Sequence, residues 1–577
     1  KKRFIILSSC GWADVYQRMH HISRSLAKYE HEVIYITPAM VVNVSSESIN
    51  ISDLTKHSYN NFKVVDKVKI YSPILALYNQ KQIANNYIDL VQSILDSSTD
   101  SSQTIIITYM PYQSEVIESL EGKFFHIYEC VDDHSDLEYA FWGNKKDIIW
   151  EQELMDKADA ITTTAISLFL QRKAIEGRQN VYLSRNAVNE SDFIFNDQLD
   201  IPEDLKNIPK PRIVYIGAIY EWFDTELFYQ VVKSNPDKSF VIIGFGKDNI
   251  LKERYPNLYI LGARKHSELK KYLRHMDIGI IPFKSDIDII INCDPIKHYE
   301  YIACGLPVIT TFMPEAAIDK INTFLADTKE RFNKYIEECL KFKSDRKAIS
   351  TFLAQNSWNA RAALLCRLAD GNINKEEQIK ALQNIKSKLN NITKKYNSPI
   401  FKTLEAAYLN MQDSKKYEEH LKQAYSISRQ KYIERRYLTA LLRNNNMPIF
   451  IDIVLNSLNI KEELKQELLY RKNNNYHDCV NIISHICIRD IKKAMFLTDS
   501  LVDEKLKCLY KIFIRYMLGE NISHHELCSI SENDSNSPLL RLLEDNLSLN
   551  KEVKTKRNHE SFVRDYVDNK VLLSKTK

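Results

Sequence analysis

The feature that most limits how this chain folds is a succession of short, almost wholly apolar runs, each stopping at a polar loop. They read RFIILS (3–8), HEVIYITP (31–38), QTIIITYMP (103–111), FFHIYECVDD (124–133) and DAITTTA (159–165), and between the first two, residues 15–29 carry helical spacing. Runs this apolar do not suit a sheet with one wet face, because alternate side chains would then be polar. They suit a parallel sheet buried by helices on both faces, so an α/β fold is predicted. After a polar stretch holding Pro202, Pro209 and Pro211, the pattern restarts with PRIVYIGA, SFVIIGFG, LYILGA, DIGIIPF and GLPVITT. Two such domains in tandem place a cleft between the carboxyl ends of their strands, where open α/β sheets take ligands.

From about residue 371 the strand signals stop and helical spacing takes over, as in EEQIKALQNIKSKLNNI and DEKLKCLYKIFIRYML. Within this part YLNMQDSKKYEEHLKQA (408–424) is like one tetratricopeptide unit, with Tyr408, Leu421 and Ala424 at packing positions and Tyr417 where a small residue is usual. The expected organisation is an α/β domain over 1–190, a second over 191–370 whose last helix (351–370) packs back on the first, and an all-α, TPR-like domain over 371–577. A length of 577 residues suits three domains.

Charge and cysteine usage exclude several classes. A formal net charge of +4 is far below what phosphate-bound chains carry, so no nucleic acid partner is expected. Ten cysteines without a C-x-x-C imply reduced thiols and a cytoplasmic location, and no run approaches the length of a spanning helix. The apolar part of the opening KKRFIILSSCGW is too short for a signal peptide. The basic run KEVKTKRNHE (551–560) offers peripheral contact with anionic lipid on the inner membrane face, or simply a solvated helix face or tail. His485, His524 and His525, with Cys479 and Cys487, lack zinc spacing, so no metal is expected.

Chemistry concentrates in CDPIKHYEYIACGLPV (293–308). It offers a helix entered through Asp294 and Pro295, whose free N–H groups and dipole can hold an anion, with Lys297 adding a cation. Glu300, one turn on, can accept two hydrogen bonds from a vicinal diol such as a ribose. The alternative is that Asp294 only caps the helix and Glu300 is solvated. In YECVDDH (128–134) a buried strand ends on Asp132, Asp133 and His134, which can orient an acceptor hydroxyl or take its proton; a turn of structural carboxylates is the other reading. Gly11, Trp12, Gln17 and Arg18 form the first loop and helix start, lining the cleft or, for Trp12, the core. Gly244 and Gly246 make a lone G-x-G, which a strand-end turn also explains.

DPIKHYEYIACGLPVITT closely resembles the donor-site segment of GT-B glycosyltransferases of family four, whose usual form reads P-x-K-x-x-E-Y-x-A-x-G-x-P-V-V. VYIGAIYEWFD (214–224), YECVDDH and WADVYQRMHHISRSLA resemble the branch that includes teichuronic acid and capsule glycosyltransferases. The resemblance covers residues 1 to about 370. It implies two Rossmann-like domains and a retaining transfer of sugar from a nucleoside diphosphate donor, UDP favoured, to a growing or lipid-linked glycan, with no cofactor or metal. Glu300 carries the family's ribose-binding role, while the first glutamate of its E-x7-E pattern falls at Asn292, leaving Asn292 or Asp294 to meet the donor sugar. Gly217, Ala218 and Gly244 bring backbone near the diphosphate. The family's basic pair after that glycine is missing, so Lys297, Arg264, Lys265 and Arg18 are the candidate cations, and Pro295 opens the anion-holding helix. LGARKHSEL (261–269) would present backbone to the base. Asp133, His134 and Asp132, with Glu300, are the expected catalytic set, and Gly11, Trp12, Gln17 and Arg18 the acceptor side. Two rivals stay open: a degenerate core serving as scaffold, with residues 371–577 binding a protein partner or a second copy, and a nucleotide-sugar epimerase.

Overall fold

The computed structural model describes residues 1–543 apart from 15, 46–47, 98–102, 135–143, 190–199, 247–250, 319, 397, 412, 474–476, 521, 524–525 and 527–536. The run 551–560, His524 and His525, and the boundary expected between 190 and 191 therefore lie outside the described residues.

The five apolar runs of the first part all become strands of one sheet of eight. Its order is Val181–Leu183, Ala160–Thr163, Phe125–Cys130, Thr104–Thr108, Arg3–Leu7, Glu32–Ile36, Val68–Tyr71 and Lys63–Val65. All neighbours are parallel except Lys63–Val65, which runs antiparallel to Val68–Tyr71. Both faces are covered, as the composition of the runs requires. Phe4, Ile6, Val33, Tyr35, Ile105 and Ile107 belong to a core shared with the helices Arg18–Lys28 and Trp358–Ala369, while Ile5, Leu7, Ile34, Ile36 and Ile106 point to the opposite face. That second core runs without a break into the helical region.

A small sheet of Met40–Asn43, Ile74–Tyr78 and Lys81–Asn85 was not anticipated. Its hairpin turns at Asn79 and Gln80, both with positive φ, as a two-residue primed turn demands. Strands as polar as KQIAN carry almost no hydrophobic signal, which is why the pattern passed over them.

The second sheet is all parallel, in the order Leu258–Ile260, Ser239–Ile243, Arg212–Ile216, Ile278–Ile281, Val308–Thr310 and Thr323–Leu325. In each large sheet the strand order reverses beside the domain's first strand, next to Thr104–Thr108 in one and Ile278–Ile281 in the other. A crevice opens at the carboxyl end of such a switch point. Residues 351–370 do not form one helix: Arg346–Gln355 and Trp358–Ala369 are separated at Ser357, whose hydroxyl accepts from the Ala360 N–H. Trp358 is fully buried against the first domain.

The remainder, from Lys375–Tyr396 to Glu504–Met517, is helical, with consecutive helices packed on one another. Tyr408, Tyr417, Leu421 and Ala424 are buried there. The region docks on both α/β domains: Tyr396 stands edge-on to Phe312 at 5.5 Å, Asn410 donates to the Ala174 carbonyl at 2.8 Å, and Lys146 pairs with Glu520 at 3.2 Å. Among the described residues no helix is long and apolar enough to cross a membrane.

Candidate functional site

The strand Arg212–Ile216 ends on Gly217, whose φ of +116° favours glycine. Gly244, ending the neighbouring strand, lies so close that a Cβ there would come within 2.0 Å of the Gly217 carbonyl oxygen. Gly244 is therefore required by the contact of two strand-end turns, whatever else the site binds. A Cβ on Gly217 would lie 2.7 Å from Lys297 Nζ. Lys297 thus sits directly against the bare backbone at the switch point. It donates to Tyr215 Oη at 2.9 Å, the Tyr215 hydroxyl donates in turn to the Ala218 carbonyl at 2.6 Å, and the ammonium lies 4.1 Å from the Tyr215 ring. Burial pushes Lys297 down to about 7, with Glu300 opposing the shift.

Lys297 comes from the helix Ile296–Ala303, anchored to the central strand where Tyr301 Oη accepts from the Ile216 N–H at 2.8 Å. Its first-turn N–H groups have no intrahelical acceptor. The N-cap is Pro295 and makes no side-chain cap, so the alternative reading of Asp294, that it only caps the helix, does not hold. Glu300, 5% exposed, hydrogen-bonds through Oε1 to His266 Nε2 at 2.7 Å. The His266 ring in turn stacks on Tyr16 at 4.7 Å and 19°, with His21 edge-on at 5.5 Å. Tyr16 and His266 thereby bring the two domains together over Glu300, a contact the sequence reading missed because 250 positions separate the pair. His266 does lie within LGARKHSEL, the turn read as base-facing.

Several expected ligands are already engaged. Asp294 pairs with Lys320 at 3.0 Å, both side chains fully buried, and accepts from Tyr299 Oη at 2.7 Å and the Asn186 N–H at 2.9 Å. It holds the domain seam, beside Arg185 and Glu315, instead of facing a donor sugar. Arg18 is buried in a forked pair with Glu129, at 2.7 and 3.2 Å, and donates to Ser184 and to the Arg185 carbonyl. It is spent inside the first domain and is not a phosphate cation. Arg264 is tied to Asp204 and, at 2.8 Å, to Tyr272 Oη. Lys265 is exposed at the start of the helix His266–Leu273. Trp12 is half-buried, edge-on to Tyr35 at 4.9 Å with Arg24 over its ring, a packing position. Gln17 is the N-cap of Arg18–Lys28, and Gly11 closes a turn onto Asp14 Oδ2 at 2.6 Å.

On the first domain, Asp133 is 4% exposed and its Oδ2 accepts from Asn292 Nδ2 at 2.7 Å. The residue standing where the family's first glutamate belongs thus spans the domains to hold a carboxylate of the first. Arg435 of the helical region lies 3.7 Å from the same oxygen and 2.7 Å from Asp288. Asp132 is raised to about 7 by burial and then by the neighbouring Asp133 charge. His134 is buried and held below its ordinary value by that burial, with Glu151 and Asp133 opposing the shift. Burial first, then Asp132 and Asp294, push the Cys293 thiol up, while Lys297 opposes them. Arg435 has no sequence signal, because it interrupts an otherwise ordinary amphipathic helix, Lys431–Arg443.

Residues 210–342 match the family described as Glycosyl transferases group 1. TuaH of Bacillus subtilis (strain 168), provisionally named a teichuronic acid biosynthesis glycosyltransferase, is 27% identical over 175 residues, covering 29% of this chain and 44% of TuaH. The chain thus spans less than half the length of that relative. Among solved structures, a sucrose-phosphate synthase from Thermosynechococcus elongatus is 12% identical over 64% of this chain and 99% of its own, with a TM-score of 0.47. Anabaena HepE, in complex with UDP and glucose, is 11% identical over 66% of this chain and 100% of its own, with a TM-score of 0.41. Gly217, Lys297 and Glu300 all lie within residues 210–342, the stretch that matches the Glycosyl transferases group 1 family.

Proposed function

We propose that the chain is a glycosyltransferase of cell-surface glycan synthesis, moving a sugar from a nucleoside diphosphate donor, UDP favoured, to a hydroxyl of a growing glycan with retention of configuration. The observation that carries the reading is Lys297: a half-buried ammonium against the bare backbone of Gly217, at the switch point and beside an uncapped helix N-terminus. Such a site fits a diphosphate, and it puts a cation and N–H groups where the leaving group's charge develops. Glu300 then takes the ribose diol, releasing His266 toward the base. These residues, and no metal ion or cofactor, meet the diphosphate. Asp133, held by Asn292, orients the acceptor hydroxyl, and the departing diphosphate helps remove its proton on the same face. The acceptor is lipid-linked, and the enzyme works in the cytoplasm at the membrane's inner face.

A scaffold reading keeps one specific support, the engagement of Arg18 and Arg264 in internal ion pairs. The deciding experiment incubates UDP, GDP, ADP and TDP sugars with wild type and Glu300→Ala and measures released nucleoside diphosphate. Release from one donor, lost in the variant, supports the transferase; no release together with no thermal stabilisation by UDP or GDP leaves the scaffold.

A further inference from the structure

The helical region and the first domain enclose a cavity of about 640 Å³ that reaches Asp133 and Asn292. Eight arginines and lysines line it against five carboxylates. The carboxylates are largely spoken for. Glu151 and Glu176 bind Arg172 at 2.8 and 2.6 Å, Asp156 binds Arg178 at 2.8 Å and also Lys492, and Asp490 binds His485 at 3.2 Å. Asp133 is held by Asn292 and Arg435. Arg436, Arg443 and Lys493 are left with no carboxylate at ion-pair distance among the described residues. Arg436 is 6% exposed, and its guanidinium lies 4.8 Å over the Tyr432 ring. A buried cation without a counter-charge is costly unless an anion arrives to meet it.

We infer that this cavity is an acceptor subsite for a glycan bearing phosphate or carboxylate groups, with Arg436, Arg443 and Lys493 taking the anionic groups and Asp133 at its inner end. The inference rests on the transferase reading, and it gives the helical region a defined task, which is to wall the acceptor path and select for charge. It also explains why Arg435, from the same helix as Arg436 and Arg443, touches Asp133: the subsite and the acceptor-side carboxylate share one element.

The test is calorimetry on the full chain at low and high salt with an oligogalacturonate, a glycerol phosphate oligomer and a neutral dextran oligomer. The anionic oligomers should bind and weaken with salt, the dextran should bind more than tenfold less tightly, and Arg443→Gln and Arg436→Gln should each lose about tenfold, a typical charged hydrogen bond. A preference between the two anionic oligomers tells phosphate from carboxylate. If Arg436→Gln unfolds, Arg443→Gln and Lys493→Gln, both on exposed side chains, carry the test. Equal affinity for dextran, or unaltered affinity in the folded variants, overturns the subsite. UDP binding is measured in parallel: wild type that binds the anionic oligomers but no nucleotide refutes the donor assignment and leaves the subsite standing.

Discussion

Lys297 gives the sharpest quantitative prediction, because its value near 7 makes nucleotide affinity depend on pH in a calculable way. Burial lowers it from an ordinary 10.5 to about 7. In the free protein at pH 8.5 the amine is therefore mostly neutral, whereas a bound diphosphate takes the ammonium. Restoring the proton costs roughly 1.4 kcal/mol for each pH unit above 7, so about 2 kcal/mol at pH 8.5. UDP affinity should thus fall about tenfold per unit above pH 7, some ~30-fold by pH 8.5, with uptake of nearly one proton per nucleotide. Calorimetry in buffers of different ionisation enthalpy measures both quantities. Stability of the free protein has the opposite slope. The unfolded chain holds a proton between pH 7 and 10.5 that the folded one lacks, so unfolding becomes harder as pH rises through that window. Lys297→Met should bind UDP more weakly at pH 7 and lose both slopes. A wild-type UDP affinity flat from pH 6.5 to 8.5, or parallel slopes in wild type and variant, refutes the reasoning.

Glu300→Gln should weaken UDP by ten- to hundredfold, the worth of a charged hydrogen bond or two, while leaving inorganic pyrophosphate binding unchanged, since the carboxylate is assigned to the ribose; equal losses for both ligands would refute that role. Asp294→Ala should leave Lys320 buried and unpaired at a cost of about 3–5 kcal/mol, read as a large fall in Tm, so that a donor-binding defect without destabilisation would contradict the seam role. Asp132 holds a proton up to about 7 that the unfolded chain releases near 3.8, so its contribution to stability fades as pH rises between those values. The Tm of Asp132→Asn relative to wild type should therefore climb from pH 5 to pH 8, and a constant difference would refute the shift.

Much of this was legible in the chain itself. The apolar runs such as RFIILS and PRIVYIGA announced buried parallel strands, because only a two-faced sheet needs side chains that are apolar at every position. Gly217, Lys297 and Glu300 were singled out by the family resemblance, since by spacing alone a cation and a carboxylate one helical turn apart suit a solvated helix face equally well. The short strands Met40–Asn43 and Lys81–Asn85 were not, since their hydrogen bonds are made by backbone and their side chains are mostly exposed or partly so.

What the order of residues could not express was the choice of partner for each charge. Arg18, Arg264 and Lys297 are equivalent as sequence, each a cation near an expected cleft. Folding gives Glu129 to the first and Asp204 to the second, and leaves Lys297 against a tyrosine and a bare glycine. In the same way Asn292 becomes the keeper of Asp133, and Arg435 reaches it from a helix 300 positions away. The sequence by itself determined the two large sheets, their order of appearance and the chemistry stored in local motifs, because those depend on periodicity and nearest neighbours. Which charges remain available to a ligand was decided only by the tertiary structure, because desolvation and pairing act between groups that the chain brings together from its far ends.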